Sequence, residues 1–125
     1  MKDSNTIHEL ANFYASKGKM LPRSLSSIYE NIMDFFICED NERILGCVAF
    51  HVCWQDLAEI KTLAVQPDCV RKGIRKKLVQ NCLKEALKLD LSKVFCLIFM
   101  PEFFKLIGFK KVNKDKLPKK YGVTA

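Results

Sequence analysis

The densest chemistry in the chain lies at residues 70–79, VRKGIRKKLV, where five of the first eight residues are Arg or Lys around one glycine. Guanidinium and ammonium groups packed this closely hold anions. A phosphate group, a nucleic-acid backbone and plain solvation of a helix face are the three uses open to them. Position narrows the choice. The segment follows a strand-like stretch, LAEIKTLAV (57–65), and opens a helical pattern. The first turn of a helix leaves backbone N–H groups unpaired at the positive end of the dipole, which makes it an anion site. Gly73 would let backbone approach a phosphate closely, and Arg71, Lys72, Arg75 and Lys76 add charge around it. For the cluster the sequence favours phosphate; any single lysine serves equally well on the wet side of the helix. Neither a P-loop nor a G-x-G-x-x-G fingerprint is present.

The six cysteines, Cys38, Cys47, Cys53, Cys69, Cys82 and Cys96, form no C-x-x-C pair, and His8 and His51 lie at no zinc-ligand spacing. Most sit in apolar runs and read as buried, reduced thiols. Cys69, in an expected loop beside Arg71 and Lys72, is the candidate for a reactive thiol. No metal is expected.

Positioning these groups falls to a chain of 125 residues, read as a single domain over 1–125. Its 49% hydrophobic and 28% charged residues are ordinary globular composition. No apolar run reaches the ~20 residues of a membrane span, and the N-terminus lacks the apolar stretch of a signal peptide, so a cytoplasmic protein is expected. The net charge of +7 concentrates in 71–77 and in the tail KKVNKDKLPKKY. Aromatic residues do not interleave with the basic residues of 71–77, which argues against a nucleic-acid partner.

Hydrophobic spacing sets the elements. Ile7, Leu10, Ala11 and Tyr14 share one helix face, ended by Gly18; Ser24 caps a second helix carrying Leu25, Ile28, Tyr29 and Ile32. DFFICED (34–40) and ILGCVAFHVCWQ (44–55) form a hairpin about an EDNE turn. A third strand, LAEIKTLAV, sets Glu59 and Lys61 on one face against Ile60 and Thr62 on the other, and Pro67 ends it. The helix after Gly73 has two apolar rows: Ile74, Leu78, Cys82, Ala86 and Val79, Leu83, Leu87. SKVFCLIFM (92–100) reads as a buried strand, PEFFKLI as a short helix and GFKKV (108–112) as a last strand. The order is α-α-β-β-β-α-β-α-β, an α/β domain with helices on a largely antiparallel sheet.

The succession AEIKTLAVQPDCVRKGIRKKLV, then KVFCLIFMPEFFKLIGF, resembles the GNAT superfamily of acetyl-CoA-dependent N-acetyltransferases. There L-x-V-x-P precedes a [QR]-x-x-G-x-[GA] turn opening a helix, then a strand, a short aromatic helix and G-F. LPRSLSSIYENIMDFF, GCVAFHVCWQDLAEI, PEFFKLIGF and KLPKK further resemble the short arginine-biosynthesis acetyltransferases of the N-acetylglutamate synthase type. The resemblance implies a GNAT-like mixed sheet flanked by helices, with acetyl-CoA as co-substrate. It implies that the backbone of Leu63 and Val65 pairs with the pantetheine arm. Arg71, Lys72, Gly73, Ile74, Arg75 and Lys76 would hold the pyrophosphate. Glu59 falls where some members keep a general base, needed because only a neutral amine attacks a thioester; its other reading is a surface glutamate. His51, on the neighbouring strand, is a second candidate base or else a core histidine. Arg23 matches an arginine offered to the substrate carboxylate, a task its fork suits, or is a surface residue beside a helix cap. The motif is broken at Val70 and Arg75, and Phe104 stands where many members have a tyrosine acid. Polar residues of longer glutamate-acetylating relatives are replaced by Phe99 and Met100.

The expected function is therefore transfer of acetyl from acetyl-CoA to the α-amine of a small carboxylate-bearing substrate, glutamate first, by direct attack in a ternary complex. The alternative is a CoA-binding module with little chemistry, as Val70, Arg75 and Phe104 suggest. A homodimer stays open.

Overall fold

A computed structural model describes residues 2–18, 20, 22–54, 57–70, 72–96, 110–111 and 123–124. Helix α1 (Lys2–Ser16) is followed by α2 (Leu25–Glu30), β1 (Phe35–Asp40), β2 (Arg43–Trp54), β3 (Leu57–Val65), α3 (Ile74–Lys88), β4 (Lys93–Cys96), β5 (Lys110–Lys111) and β6 (Val123–Thr124). The strands form one sheet in the order β1-β2-β3-β4-β6-β5. All neighbours are antiparallel except β3 and β4, the pair joined by the α3 crossover. The order expected from sequence is therefore met, except that the helix placed at 101–107 lies outside the described residues. β6 adds a pairing that the tail's charge-rich composition did not announce. No helix among the described residues is long and apolar enough to cross a membrane.

Local chemistry explains the elements. Ser24 has extended dihedrals and its hydroxyl accepts from Ser27 N at 3.1 Å, a side-chain cap. The helix it starts ends at Glu30, two residues before the spacing suggested, and Ile32–Asp34 form a 3-10 turn into β1. Asn41 and Glu42 have φ of 50° and 66°. Positive φ at both central residues is the geometry of a two-residue hairpin whose twist matches its strands.

The sheet separates two cores. On one face Val48, Phe50, Ile60, Leu63 and Val65 pack against Ile74, Leu78, Val79 and Cys82 of α3. On the other, Cys47 and Ala64 pack against Ile7 and Leu10 of α1 and Ile28 of α2. The first apolar row of α3 is buried throughout, but Leu87 of the second row is 80% exposed. At about 100° per residue, an i,i+4 row advances about 40° each step, which carries Leu87 off the sheet-facing arc.

Candidate functional site

The site is built around a break in β3. Cys47 pairs with Ala64 and Ala49 with Lys61, so Val48 faces both Thr62 and Leu63. This is a β-bulge, and Thr62 sits in it at φ 54°. A β-branched residue in the left-handed region costs roughly 1–2 kcal/mol. Side chains on both neighbouring elements hold it there. Cys47 Sγ donates to the Thr62 carbonyl at 3.6 Å, and Arg23 Nη1 donates to Thr62 Oγ1 at 3.1 Å. Ile60 packs toward α3 as alternation predicts. Thr62 does not stay with it: the inserted residue turns its hydroxyl to Arg23, on the side facing α2.

Arg23 is partly buried. It precedes the cap Ser24, so α2 fixes its backbone, and its guanidinium also donates to Ser27 Oγ at 3.2 Å and lies 5.4 Å from the Phe35 ring centroid. Burial lowers the guanidinium pKa, while Asp34, Cys47 and Glu59 pull it back up. Burial likewise pushes the Cys47 thiol up to about 12, partly offset by a backbone hydrogen bond at Ala64 and by Arg23.

His51 and Glu59 are cross-strand partners and project from the same face, two residues beyond Ala49, the partner of the Phe35 whose ring lies under Arg23. Glu59 is only 3% exposed, which overturns its reading as a strand-surface glutamate. His51 is not a core histidine either: its side chain is 40% exposed, and Nδ1 lies 2.8 Å from Asp34 Oδ2. Asp34 ends the 3-10 turn ahead of β1. Sequence reading placed it as the first residue of the strand and assigned it nothing. A regular register counted back from the two-residue turn would set Asp34 opposite Ala49; the irregularity between Cys38 and Glu39 moves the pairing by one, so that Phe35 meets Ala49 and Asp34 comes beside His51. Leu57, Phe95 and Cys53 line the apolar flank of the same face.

The basic turn lies at the far end of β3. Arg43 and Asp68 form a two-bond ion pair at 3.0 and 3.1 Å, and Gln66 N donates to Leu45 O at 2.8 Å. These contacts tie the segment before the turn to β2. Gly73 is the N-cap of α3 at φ 75°, and a Cβ there would meet nothing within 4 Å. Its requirement for glycine is thus the left-handed backbone, not room. Lys72 and Lys76 are exposed and Ile74 is buried. Arg75 is partly buried, and its charge acts on the Tyr14 phenol, whose pKa burial raises and Arg75 lowers. Arg71 lies outside the described residues, as do Phe99, Met100 and Phe104. Cys69, expected to be reactive, is 3% exposed and belongs to the α3-side core, where a thiol behaves as a small hydrophobe.

The Gln66–Leu45 bond also fixes which way β3 presents its edge. In an antiparallel ladder, bonded and non-bonded positions alternate, so the Val65 backbone points away from β2, and Leu63 lies two residues back on that edge. The Val65 carbonyl accepts the Tyr14 hydroxyl at 2.5 Å. Glu59, His51 and Arg23 thus share one face of the sheet, while Gly73 to Lys76 and the Leu63–Val65 edge form the adjoining end. Among the described residues, no group of three His, Cys, Asp or Glu side chains is placed to hold a metal ion.

Comparison with known proteins gives the family and the fold. The model of the acetyltransferase (GNAT) family matches residues 5–109. An uncharacterized N-acetyltransferase of Chlorobaculum tepidum is 34% identical over 120 residues, 96% of this chain and 77% of that protein. An amino-acid acetyltransferase of Mycobacterium tuberculosis is 37% identical over 114 residues, 89% of this chain; the chain spans 65% of its length. Among solved structures, Rv2747 of M. tuberculosis in complex with CoA superposes with a TM-score of 0.83 at 37% identity, covering 90% of this chain and 69% of that one. N-acetylglutamate synthase of Neisseria gonorrhoeae, complexed with coenzyme A and N-acetyl-glutamate, gives 0.92 at 25% identity, covering 99% of this chain but 32% of that one.

Proposed function

The chain belongs to the acetyltransferase (GNAT) family, and from that premise we propose that it moves an acetyl group from acetyl-CoA to the α-amine of a small amino acid, with glutamate the first candidate. The observation that carries the acceptor class is Arg23. Its half-buried fork is held by two neutral hydroxyls, Thr62 Oγ1 and Ser27 Oγ, beside the proton-accepting groups of His51 and Glu59. A carboxylate would replace those hydroxyls with charge-assisted, bidentate bonds. It would thereby place an adjacent amine over the β3 bulge.

The residues fit acetyl-CoA at the other end. Lys72, Gly73, Ile74, Arg75 and Lys76, with Arg71 beside them, take the pyrophosphate, using the unpaired N–H groups of the first helical turn. The Leu63 and Val65 edge of β3 pairs with the pantetheine arm. A bulge interrupts the ladder, and the Thr62–Leu63 step is where a backbone N–H would polarise the thioester carbonyl. Acetyl transfer is direct attack by the amine, and most of the rate comes from holding the two reactants in line.

Thiol release from acetyl-CoA, measured across a panel of amino acids, tests this reading. Glutamate is expected to raise release above the blank more than amines without a carboxylate. If no amino acid does so while the protein is folded and binds CoA, the reading fails.

A further inference from the structure

We propose that Asp34 and His51 form the proton-accepting pair of this acetyltransferase: Asp34 holds the ring by Nδ1–H, and His51 Nε2 takes the proton from the substrate ammonium. The inference rests on the acceptor reading above and goes beyond it by assigning the base and adding a positioning residue.

Three observations carry it. First, the geometry is that of a carboxylate and imidazole bonded to each other, with Nδ1 to Oδ2 at 2.8 Å. An ionised carboxylate only accepts, so Nδ1 carries the hydrogen, and in the neutral ring that leaves Nε2 with the lone pair. Second, access separates the two candidate bases. His51 has a side chain 40% exposed, whereas Glu59, directly across the ladder, is 3% exposed and faces the Arg23 charge. A base must come within hydrogen-bond reach of its proton, directly or through one water, and His51 meets that condition better. Third, the spacing suits a small acceptor. Glu59, with His51 opposite it on β2, stands three residues from Thr62 along β3, about 10 Å at ~3.3 Å per residue.

Around His51 stand Asp34 from the 3-10 turn, Glu59 opposite it on β3 and Cys53 on its own strand; Lys61 follows Glu59 by two residues on β3, and Arg23, from the segment ahead of α2, couples to Asp34 and Glu59. Of these, Asp34 is bonded to the ring. The step balances as follows. The ammonium gives one proton to Nε2, and the freed electron pair forms the N–C bond to the acetyl carbon as the C–S bond breaks. The second nitrogen proton passes to the departing sulfur by way of water, and the imidazolium returns its proton to solvent. Asp34 stabilises that imidazolium in between.

Two measurements decide the matter. In turnover against pH at saturating acetyl-CoA, His51→Gln is expected to lower kcat about 100- to 10,000-fold, the usual worth of a positioned base, and to abolish the acid limb of the profile. Asp34→Asn is expected to lower kcat and move that limb to lower pH, because the imidazolium has lost its carboxylate. KM for acetyl-CoA is expected to stay within about twofold in both variants, since the pyrophosphate turn is untouched. An acid limb that persists unchanged in His51→Gln overturns the proposal. The second measurement needs no substrate: ring 15N spectra of the wild-type protein are expected to show the neutral Nδ1–H tautomer, lost in Asp34→Asn. A wild-type Nε2–H tautomer overturns the pair even if turnover is robust. Absence of turnover with every amino acid would instead sink the acceptor reading, and the ring spectrum would decide the pair alone.

Discussion

Thr62 shows how much a single residue sets at this site. Its left-handed backbone, Cys47 on its carbonyl and Arg23 on its hydroxyl make one assembly. Replacing Thr62 by Val keeps the shape and the strain but strands the guanidinium donor. A loss of about 1–3 kcal/mol is expected, the cost of an unsatisfied buried polar group, and thermal unfolding checks it. Arg23→Lys keeps the charge and removes the fork. KM for the amino acid should rise about ten- to a hundredfold, equivalent to about 1.5–3 kcal/mol for one charge-assisted bond, with KM for acetyl-CoA little changed. A change confined to KM for acetyl-CoA would argue against Arg23 as the carboxylate partner. At this scale the sequence disclosed the residue types and missed their couplings. Arg23, Glu59 and His51 could be named because their types suit the chemistry. Thr62 could not, because a period-2 pattern presumes an unbroken ladder, and the bulge shifts the register between Cys47 and Ala49. Asp34 went unnoticed because it belongs to a turn that carries no periodic signal.

Between elements, the turn at the start of α3 is positioned from below by Gly46. A Cβ on that residue would lie 3.1 Å from Ala64 O, 3.1 Å from Ile74 Cγ2 and 3.2 Å from Leu78 Cδ1. The missing side chain is what lets the first two turns of α3 close on the sheet beside β3. Gly46→Ala is expected to cost about 1–3 kcal/mol through overpacking. Because it pushes on Ile74, it should also weaken CoA binding. Gly73→Ala works differently: space is open, and the expected cost of about 1–2 kcal/mol is the left-handed backbone alone. Thermal scans with and without CoA separate the two routes. The Arg43–Asp68 pair is exposed, so its contribution is small and screened by salt. Bonding to Arg43 lowers the Asp68 pKa. The contribution is therefore present above the ordinary carboxylate range and lost as pH falls through the lowered value. A difference between Asp68→Asn and the parent that stayed constant as the carboxylate was titrated to its acid form would contradict the assignment. The helix of 74–88 and the strands flanking it were legible from apolar spacing, whereas Gly46 inside a strand pattern gave no sign of which helix it admits.

For the molecule as a whole, the net charge of +7 has a direction. Lys72 and Lys76 stand exposed at the α3 end, while Asp34 and Glu59 act together on Arg23 at the acceptor face. Under the proposed function a polyanionic co-substrate would be steered to one end and a small zwitterion would meet balanced charge at the other. KM for acetyl-CoA is expected to rise with ionic strength between about 0.01 and 0.3 M, as the Debye length shrinks from about 30 Å to under 8 Å. KM for the amino acid should change less, and equal changes in both would contradict this division. The order of elements and the single parallel crossover were readable from the chain because apolar period, capping residues and turns all pointed to one topology. What stayed hidden was the β6 pairing, since two residues in a charge-rich tail carry no pattern.

The cysteines have a practical consequence for any of these measurements. All six are free; Cys47, Cys69, Cys82 and Cys96 are buried, and Cys38 and Cys53 are partly buried. Burial pushes Cys47 and Cys82 to about 12, away from the thiolate that reacts with disulfide reagents. A colorimetric thiol titration of the folded protein should therefore register no more than the Cys38 and Cys53 pair promptly, and the full set only after unfolding. The same reagent that counts CoA released in turnover thus doubles as a gauge of how much of each variant is folded.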